Sequence, residues 1–185
     1  MSLLDIPTKI TGEYVNAEEF NQVVAAIQKL QGEKGYGTYF DTSKTALAPQ
    51  VITAGGFVAL ENNKGNAIEG SLPYGVTTLY DGTKITPPQT SVQFQAYISF
   101  YAKTSNKDAF FDFGIDIGGV AGEIFRSVER FVKGANVYEK YTITVNGFMG
   151  DDFLANGGVP KIEVSTGTVS VYDTTFFIGI ISQPQ

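Results

Sequence analysis

The side chains of this chain that could do chemistry are mainly carboxylates, because its 185 residues include no histidine and no cysteine. Without those residues the chain cannot build a Ser-His-Asp or Cys-His site, a thiolate nucleophile, or the usual ligand sets for zinc and iron. Carboxylate, lysine and tyrosine chemistry and oxygen-only binding of calcium or magnesium remain. Most common enzyme designs are therefore excluded.

Asp112 and Asp116 have a spacing that suits acid and base chemistry. They lie on one side of a predicted strand, two alternations apart, which is roughly the separation that an inverting glycosidase needs between its two carboxyl groups. Carboxylates on the solvent side of a strand are common, however, and no second motif supports an active site. We favour the surface interpretation and keep a glycan hydrolase as the least favoured of three functions.

Asp151 and Asp152 could offer oxygen ligands to calcium, but they lack the alternating spacing of a helix-loop-helix calcium site. Aspartate and glycine are also the residues that turns prefer, so we favour a solvated turn there. The glycine-rich segment 118–122 lacks the Lys-Ser/Thr pair of a phosphate-binding loop, and we predict a turn. The sequence therefore predicts no catalytic residue, no metal site and no cofactor.

Composition and charge restrict the class of protein further. With 43% hydrophobic and 17% charged residues the chain is globular, with room for one domain and an appendage. A net charge of −6 without a Lys/Arg cluster argues against nucleic acid as a partner. The N-terminal residues show no basic region before an apolar run, and no stretch approaches about eighteen apolar residues. We expect synthesis in a cytoplasm, no signal peptide and no membrane insertion.

The elements that must position these side chains are predicted to be mostly strands. Residues 92–102 alternate cleanly between apolar and polar side chains, and residues 110–117 repeat the pattern. The predicted core residues of these two strands are Val92, Phe94, Ala96, Ile98, Phe100, Ala102, Phe111, Phe113, Ile115 and Ile117. Further strands are predicted over 51–60, 141–145, 161–165, 168–172 and 175–181, and also over 124–132, although the apolar residues there fit a helical period. With 21 glycines between short runs, the pattern favours an antiparallel all-β sandwich.

One helix is predicted, over residues 16–31. Asn16 and Glu19 fit a capping box at its start, and Gly32 follows its end. Its apolar residues recur with 3-4-3 spacing, and a seam about two heptads long buries little unless identical seams meet it. We therefore predict an oligomerising helix, with an amphipathic helix packed on its own domain as the alternative. The seam residues are Phe20, Val23, Ile27 and Leu30.

The helix divides the chain into four predicted parts: an anchoring arm over 1–15, the helix, a Gly-rich linker over 32–37 and a β-domain over 38–185. Within the β-domain, strand 92–102 has tyrosines on its polar face, and strand 175–181 is apolar on both faces. A strand face of this kind suits contact with another subunit. The predicted interface residues of the β-domain are Tyr97, Tyr101, Phe177 and Ile181.

Several short fragments occur in an order that resembles a known family. They are Tyr-Phe-Asp-Thr at 39–42, Pro-Gln-Val-Ile-Thr-Ala-Gly at 49–55, Leu-Pro-Tyr-Gly-Val at 72–76, Tyr-Asp-Gly-Thr-Lys-Ile-Thr-Pro at 80–87, Ile-Asp-Ile-Gly-Gly at 115–119 and Val-Tyr-Asp at 171–173. Together with the preceding helix they resemble the tumour-necrosis-factor-like and complement-like trimeric jelly rolls that form knobs on bacteriophage head and tail fibres.

The resemblance implies a jelly-roll knob in a homotrimer, with one sheet of each subunit around the threefold axis. It also implies an N-terminal segment that holds the fibre to a capsid or tail protein. We therefore predict a non-enzymatic structural virion protein. The first alternative is an adhesin that binds a bacterial surface glycan or protein, and the second is the glycan hydrolase.

Overall fold

The structure is a computed structural model that describes residues 18, 35–70, 72, 76–89 and 91–182. The chain divides into two units, Met1–Glu33 and Lys34–Gln185. The predicted arm and, apart from Glu18, the predicted helix lie outside the described residues. The interface role predicted for its seam therefore stays a prediction; the seam residues are Phe20, Val23, Ile27 and Leu30.

The described residues of the second unit form ten strands and one short helix. The first four strands are β1 (Gly35–Phe40), β2 (Gln50–Thr53), β3 (Val58–Ala59) and β4 (Asn66–Gly70). The next four are β5 (Val92–Thr104), β6 (Phe110–Asp116), β7 (Glu123–Arg130) and β8 (Glu139–Met149). The helix α1 (Asp151–Asn156) precedes β9 (Val159–Val164) and β10 (Thr168–Ser182).

These strands form two antiparallel sheets packed as a jelly-roll sandwich, as the sequence predicts. The larger sheet has the order β4-β1-β10-β5-β8, with β2 also paired to β10, and the smaller has the order β3-β9-β6-β7. Successive strands repeatedly change sheet, for example from β5 to β6 and from β9 to β10. The chain thus winds around a single core, and each sheet keeps an outer face.

The core lies between the sheets and contains the residues that the alternating patterns predict. All six predicted core residues of β5 are completely buried, and those of β6 and the adjoining Ile117 are at most 5% exposed. An aromatic cluster fills one part of the core, with the Phe111 ring 5.0 Å from Tyr141 and 5.7 Å from both Phe100 and Phe131. Burying each large apolar side chain contributes about 1.5 to 3 kcal/mol, so this cluster stabilises the pairing of the two sheets.

The strand predicted over 51–60 is wrong, because the structure breaks it in two. β2 pairs with β10 in the larger sheet, whereas β3 pairs with β9 in the smaller one. The break falls at Gly55 and Gly56, whose φ angles of 133° and 141° are accessible mainly to glycine. Two consecutive glycines thus let the chain cross from one sheet to the other.

The two strands predicted over 168–172 and 175–181 are one continuous strand, β10, with a bulge. The register with β5 shifts between Tyr172 and Thr175, and Asp173 between them has a positive φ of 55°. Buried Asn62 satisfies the backbone at this point, since its Nδ2 donates to the carbonyl oxygens of Tyr39 and Thr174 at 3.0 Å each. The bulge lets β1 and β2 pair with different halves of the same edge of β10.

Other elements differ from the predicted boundaries. Strand β1 begins inside the predicted linker, because Gly35, Tyr36 and Gly37 pair with Ile178–Ile180 of β10. The short strand β4 and the helix α1 were not predicted, since neither has an apolar pattern long enough to identify it. The segment whose apolar residues also fit a helix is strand β7, as predicted, and it pairs with β6.

The first and last described residues of the jelly-roll unit, Gly35 and Ser182, lie at the same end of the sandwich. Gly35 pairs with Ile180 near the end of β10, and the last residue of β10 is Ser182. The connections 54–57, 105–109, 131–138 and 165–167 lie at the opposite end, which we call the distal end. The distal loops are therefore the part of the jelly roll farthest from Gly35.

Candidate functional site

The four predicted interface residues of the β-domain lie on one surface, the outer face of the larger sheet. Tyr97 and Ile181 are 39% exposed, and Tyr101 and Phe177 are half-buried. Tyr97 and Phe177 are register partners on β5 and β10. The structure therefore brings together Tyr97 and Phe177, which are 80 positions apart in the sequence, although their role in an interface stays a prediction.

Three rings and one aliphatic side chain form what we call the aromatic patch: Tyr36, Tyr97, Phe177 and Ile181. The Phe177 ring lies 6.1 Å from Tyr36, stacked, and 5.7 Å from Tyr97. Tyr36 is 45% exposed and was not among the predicted interface residues, because it falls inside the predicted glycine-rich linker. Its pairing with β4 and β10 could be identified only from the folded sheet.

A shallow apolar depression of about 370 Å³ lies beside the patch. Its floor includes Gly179, where an added Cβ would come within 3.3 Å of the Phe177 ring. The absence of a side chain at Gly179 thus leaves room for Phe177 to lie against the sheet, and it leaves a concave surface between Tyr36 and Gln95. Such a surface can receive an apolar side chain of another molecule.

A second aromatic group on the same sheet, the tyrosine–lysine cluster, lies toward the distal end. It consists of Tyr101, Tyr138, Tyr172, Lys103 and Lys140. The Tyr172 ring stacks on Tyr101 at 5.2 Å and meets the edge of Tyr138 at 4.8 Å. Lys103 lies over the ring of Tyr138, and Lys140 lies over that of Tyr101. Predicted interface residue Tyr101 therefore belongs to a more polar part of the face than Tyr97 does.

The outer face of the smaller sheet contains the two aspartates that were considered as an acid and base pair. Asp112 forms an ion pair with Arg126 at 2.7 Å, and Asp116 forms one with Lys161 at 2.5 Å. The hydrogen bond and charge of Lys161 hold the pKa of Asp116 below its usual value. A general acid requires a raised pKa, so this environment favours a permanent carboxylate instead.

Asp151 and Asp152, predicted to lie in a solvated turn, instead form the first turn of helix α1. Carboxylates are favourable at that position because they complement the helix dipole. Nowhere in the described part of the chain do three His, Cys, Asp or Glu residues form a group that could hold a metal ion. The segment 118–122 is a turn, as predicted, in which Gly122 donates its amide to the carbonyl of Gly118.

No helix within the described ranges combines the length and apolar character needed to cross a membrane.

Buried and half-buried carboxylates stabilise the loops between the strands. Burial would raise the pKa of Asp41, but hydrogen bonds from the Ser43 hydroxyl and from the amides of Ser43, Asn63 and Lys44 outweigh it, so the pKa is lowered. The Ser43 hydroxyl donates to Oδ1 at 2.7 Å, and the Lys44 amide donates to Oδ2 at 2.9 Å. The ionised form of Asp41 therefore fixes the turn that follows β1.

We expect the folded protein to lose stability in acid. The pKa values of Glu69 and Asp81 are also lowered, because hydrogen bonds outweigh the effect of burial, and that of Asp116 is lowered mainly by Lys161. A carboxylate whose pKa is lower in the folded state stabilises the protein at pH values above its unfolded-state pKa, which is 4.5 for Glu and 3.8 for Asp. This stabilisation is lost as the pH falls through the folded-state pKa.

Urea unfolding at a series of pH values tests this expectation. The midpoint should stay nearly constant from pH 7 to about 5.5 and fall steadily below pH 4.5. The variant Asp116→Asn should show a smaller decrease, since it removes one of the four groups. A midpoint that rises on acidification would contradict the assignment.

Comparisons with known proteins give no family. No protein-family model and no curated protein matches the chain. Similar solved structures include the Eiger TNF from S. frugiperda, with 10% identity over 83% of this chain and 95% of that chain and a TM-score of 0.47. The PRD1 vertex protein P5 is 10% identical over 80% of this chain and 72% of that chain, with a TM-score of 0.44. A protein of T=1 particles derived from infectious bursal virus has a TM-score of 0.30, with 9% identity over 79% of this chain and 54% of that chain.

Proposed function

We propose that this chain is a structural virion protein, a homotrimeric bacteriophage head or tail fibre whose jelly roll is the distal knob. The observation that supports this proposal best is the aromatic patch on the outer face of the larger sheet. It places the Phe177 ring in contact with both Tyr36 and Tyr97 on the solvent side of a sheet whose other side is the core. The occupant that we propose for this surface is a second copy of the chain.

The two outer faces of the sandwich differ in the way that this proposal requires. The smaller sheet has ion pairs on its outer face, in which Asp112, Asp116 and Glu163 contact Arg126 or Lys161. The described outer face of the larger sheet instead has aromatic rings and a shallow apolar depression beside Gly179, with Lys103 and Lys140 only toward the distal end. Interface cores are enriched in aromatic residues and depleted in charged ones, so the larger sheet is the better interface.

The separation of Gly35 from the distal loops fits a fibre whose knob is entered at one end and makes contacts at the other. The chain enters the knob at Gly35, and the distal loops lie at the other end of the sandwich. In this proposal an arm over 1–15 binds a capsid or tail protein, the helix over 16–31 oligomerises the chain, and the knob contacts a host surface.

A binding role for the knob is the second candidate, because the distal end of the smaller sheet contains a cavity with polar walls. The glycan hydrolase has less support, since Asp112 and Asp116 are held as ion pairs and the pKa of Asp116 is lowered. A fibre whose knob binds a host glycan would combine the structural role with the binding role.

The absolute mass of the full chain, measured by multi-angle light scattering at micromolar concentration, tests the proposed function. We expect a mass three times that of one chain. A version that starts at Lys34 separates the two predicted contact regions, because a trimer in both versions would place the main contacts in the jelly roll. A stable monomer of the full chain would refute the trimeric fibre.

A further inference from the structure

A cavity of about 430 Å³ opens on the outer face of the smaller sheet at its distal end. Its walls come from the crossing between β2 and β3, the start of β6 and the end of β9. The lining residues are Gly55, Phe110, Asp112, Glu163, Val164 and Ser165. The volume lies within the range of about 300 to 1,000 Å³ that is typical of small-molecule sites. The cavity is on the sheet opposite the aromatic patch, so a trimer formed through the patch leaves it accessible.

Two carboxylates stand next to each other in this cavity. Asp112 of β6 and Glu163 of β9 are register partners, so both side chains leave the sheet on the same face. A single guanidinium contacts both, because Arg126 Nη2 lies 2.7 Å from Asp112 Oδ2 and 3.3 Å from Glu163 Oε2. Two negative charges and one positive charge give this group a net charge of about −1.

The Arg126 guanidinium packs on an aromatic ring. Arg126 lies over the ring of Phe57 at 5.1 Å from the centroid. Phe57 in turn lies close to Gly114 in the middle of β6, where an added Cβ would come within 3.4 Å of the ring. A glycine inside a strand allows this close approach of a side chain. The contacts fix Arg126, which in turn fixes the two carboxylates.

The hydrogen-bond acceptors of this group are not all used. Asp112 Oδ1 is buried and, among the residues that the structure describes, has no hydrogen-bond donor. A buried acceptor without a donor is unfavourable, and a ligand can donate to this one only if the Asp112 side chain turns Oδ1 toward the cavity. Ser165 Oγ accepts a hydrogen bond from the Phe110 amide at 3.0 Å, which leaves its own proton free to donate.

The side chains that line the cavity favour one chemical class of ligand. Carboxylate oxygens accept from hydroxyl and ammonium groups, and the net negative charge disfavours acidic ligands. The Phe110 side chain, which is half-buried, adds an apolar wall against which a sugar ring can pack. A compact ligand that has several hydroxyl groups and one ammonium group matches all of these features.

We propose that this cavity binds an amino-bearing saccharide, with Asp112 and Glu163 accepting hydrogen bonds from its ammonium and hydroxyl groups. The inference rests on the proposed function in one respect, since the host surface is taken as the source of the saccharide. The binding itself depends only on the knob.

The experiment compares glucose with two sugars that each differ from it at one carbon: glucosamine, which has an ammonium group at C2, and glucuronic acid, which has a carboxylate at C6. Each is titrated into the isotope-labelled full chain at pH 7, and amide shifts are followed by NMR. We expect glucosamine to shift the amides of residues 110–112 and 163–165 and to bind at least tenfold more tightly than glucuronic acid. Glucose should bind with intermediate affinity.

Two variants and a matched control identify the site. Asp112→Asn and Glu163→Gln should each weaken glucosamine binding by at least tenfold. Asp116→Asn removes a carboxylate from the same strand and the same face, outside the cavity, and should leave binding unchanged. The proposal is overturned if glucuronic acid binds as well as glucosamine, if glucosamine shifts none of these amides, or if both cavity variants bind normally. Light scattering on the same samples reports the trimer separately, so a wild-type chain that has a trimeric mass but does not bind glucosamine would refute the cavity site and leave the fibre intact.

Discussion

Replacing Phe177 by aspartate is expected to convert the proposed trimer into monomers without unfolding the jelly roll. Phe177 lies in the middle of the aromatic patch, between Tyr36 and Tyr97. In a trimer formed through this face, the substitution would remove a ring from the contact and bury an unpaired carboxylate. Each effect is costly at an interface, and together they should raise the dissociation constant by roughly 100-fold or more. Sedimentation velocity over a range of concentrations measures the change.

The matched control is Val128→Asp, which introduces the same charge on the outer face of the smaller sheet. Val128 is an apolar residue that is 56% exposed, and it lies outside the proposed interface. This variant should remain trimeric, and far-ultraviolet circular dichroism should show both variants folded. If Phe177→Asp stays trimeric while it is folded, the aromatic patch is not the interface and the contacts must lie elsewhere.

The sequence predicts the strands best where one face is core and the other is solvent. The alternation over 92–102 and 110–117 identifies both the elements and their buried side, since a one-residue change of register would place every apolar side chain in water. The alternating pattern did not predict that residues 168–182 form the single strand β10. Its bulge at Asp173 is stabilised by Asn62, which is 112 residues from Thr174, and a local pattern contains no information about that contact.

Glycines caused the main errors in the predicted elements. At Gly55 and Gly56 the chain changes sheet, although Val51 and Leu60 on either side suggested one strand. At Gly35 and Gly37 the opposite occurs, because residues that look like a flexible joint pair with β10. A glycine can end a strand or lie within one, and the pairing partner decides between these outcomes.

The candidate sites show the same division between local and long-range information. Tyr97 and Phe177 could be selected from the sequence, since each lies opposite core residues on a recognisable strand. The cavity with Asp112 and Glu163 could not, because its residues come from three parts of the chain and meet only through the register of β6 with β9. The sequence did single out Asp112, but it suggested Asp116 as its partner instead of Glu163 and Arg126.

Replacing Phe111 by alanine is expected to cause the largest loss of folding stability among single substitutions in the described core. Its completely buried ring contacts Phe100 and Tyr141 of the larger sheet and Phe131 beyond β7. Removal loses the transfer free energy of the ring and leaves a cavity between the sheets, which costs about 3 to 5 kcal/mol. Urea unfolding of the wild type and variant, at one protein concentration because assembly shifts the apparent stability, measures the difference.

The size of that loss should follow the volume removed, because the neighbouring rings are fixed by their own sheets and cannot close the gap. Phe111→Leu keeps most of the apolar volume and should therefore lose much less stability than Phe111→Ala. Leu47→Ala is the control for loss of an apolar side chain from the surface, since Leu47 is 98% exposed, and its effect should be within about 0.5 kcal/mol. Equal losses for Phe111→Leu and Phe111→Ala would mean that ring contacts, rather than the filling of the core, hold the two sheets together at this point.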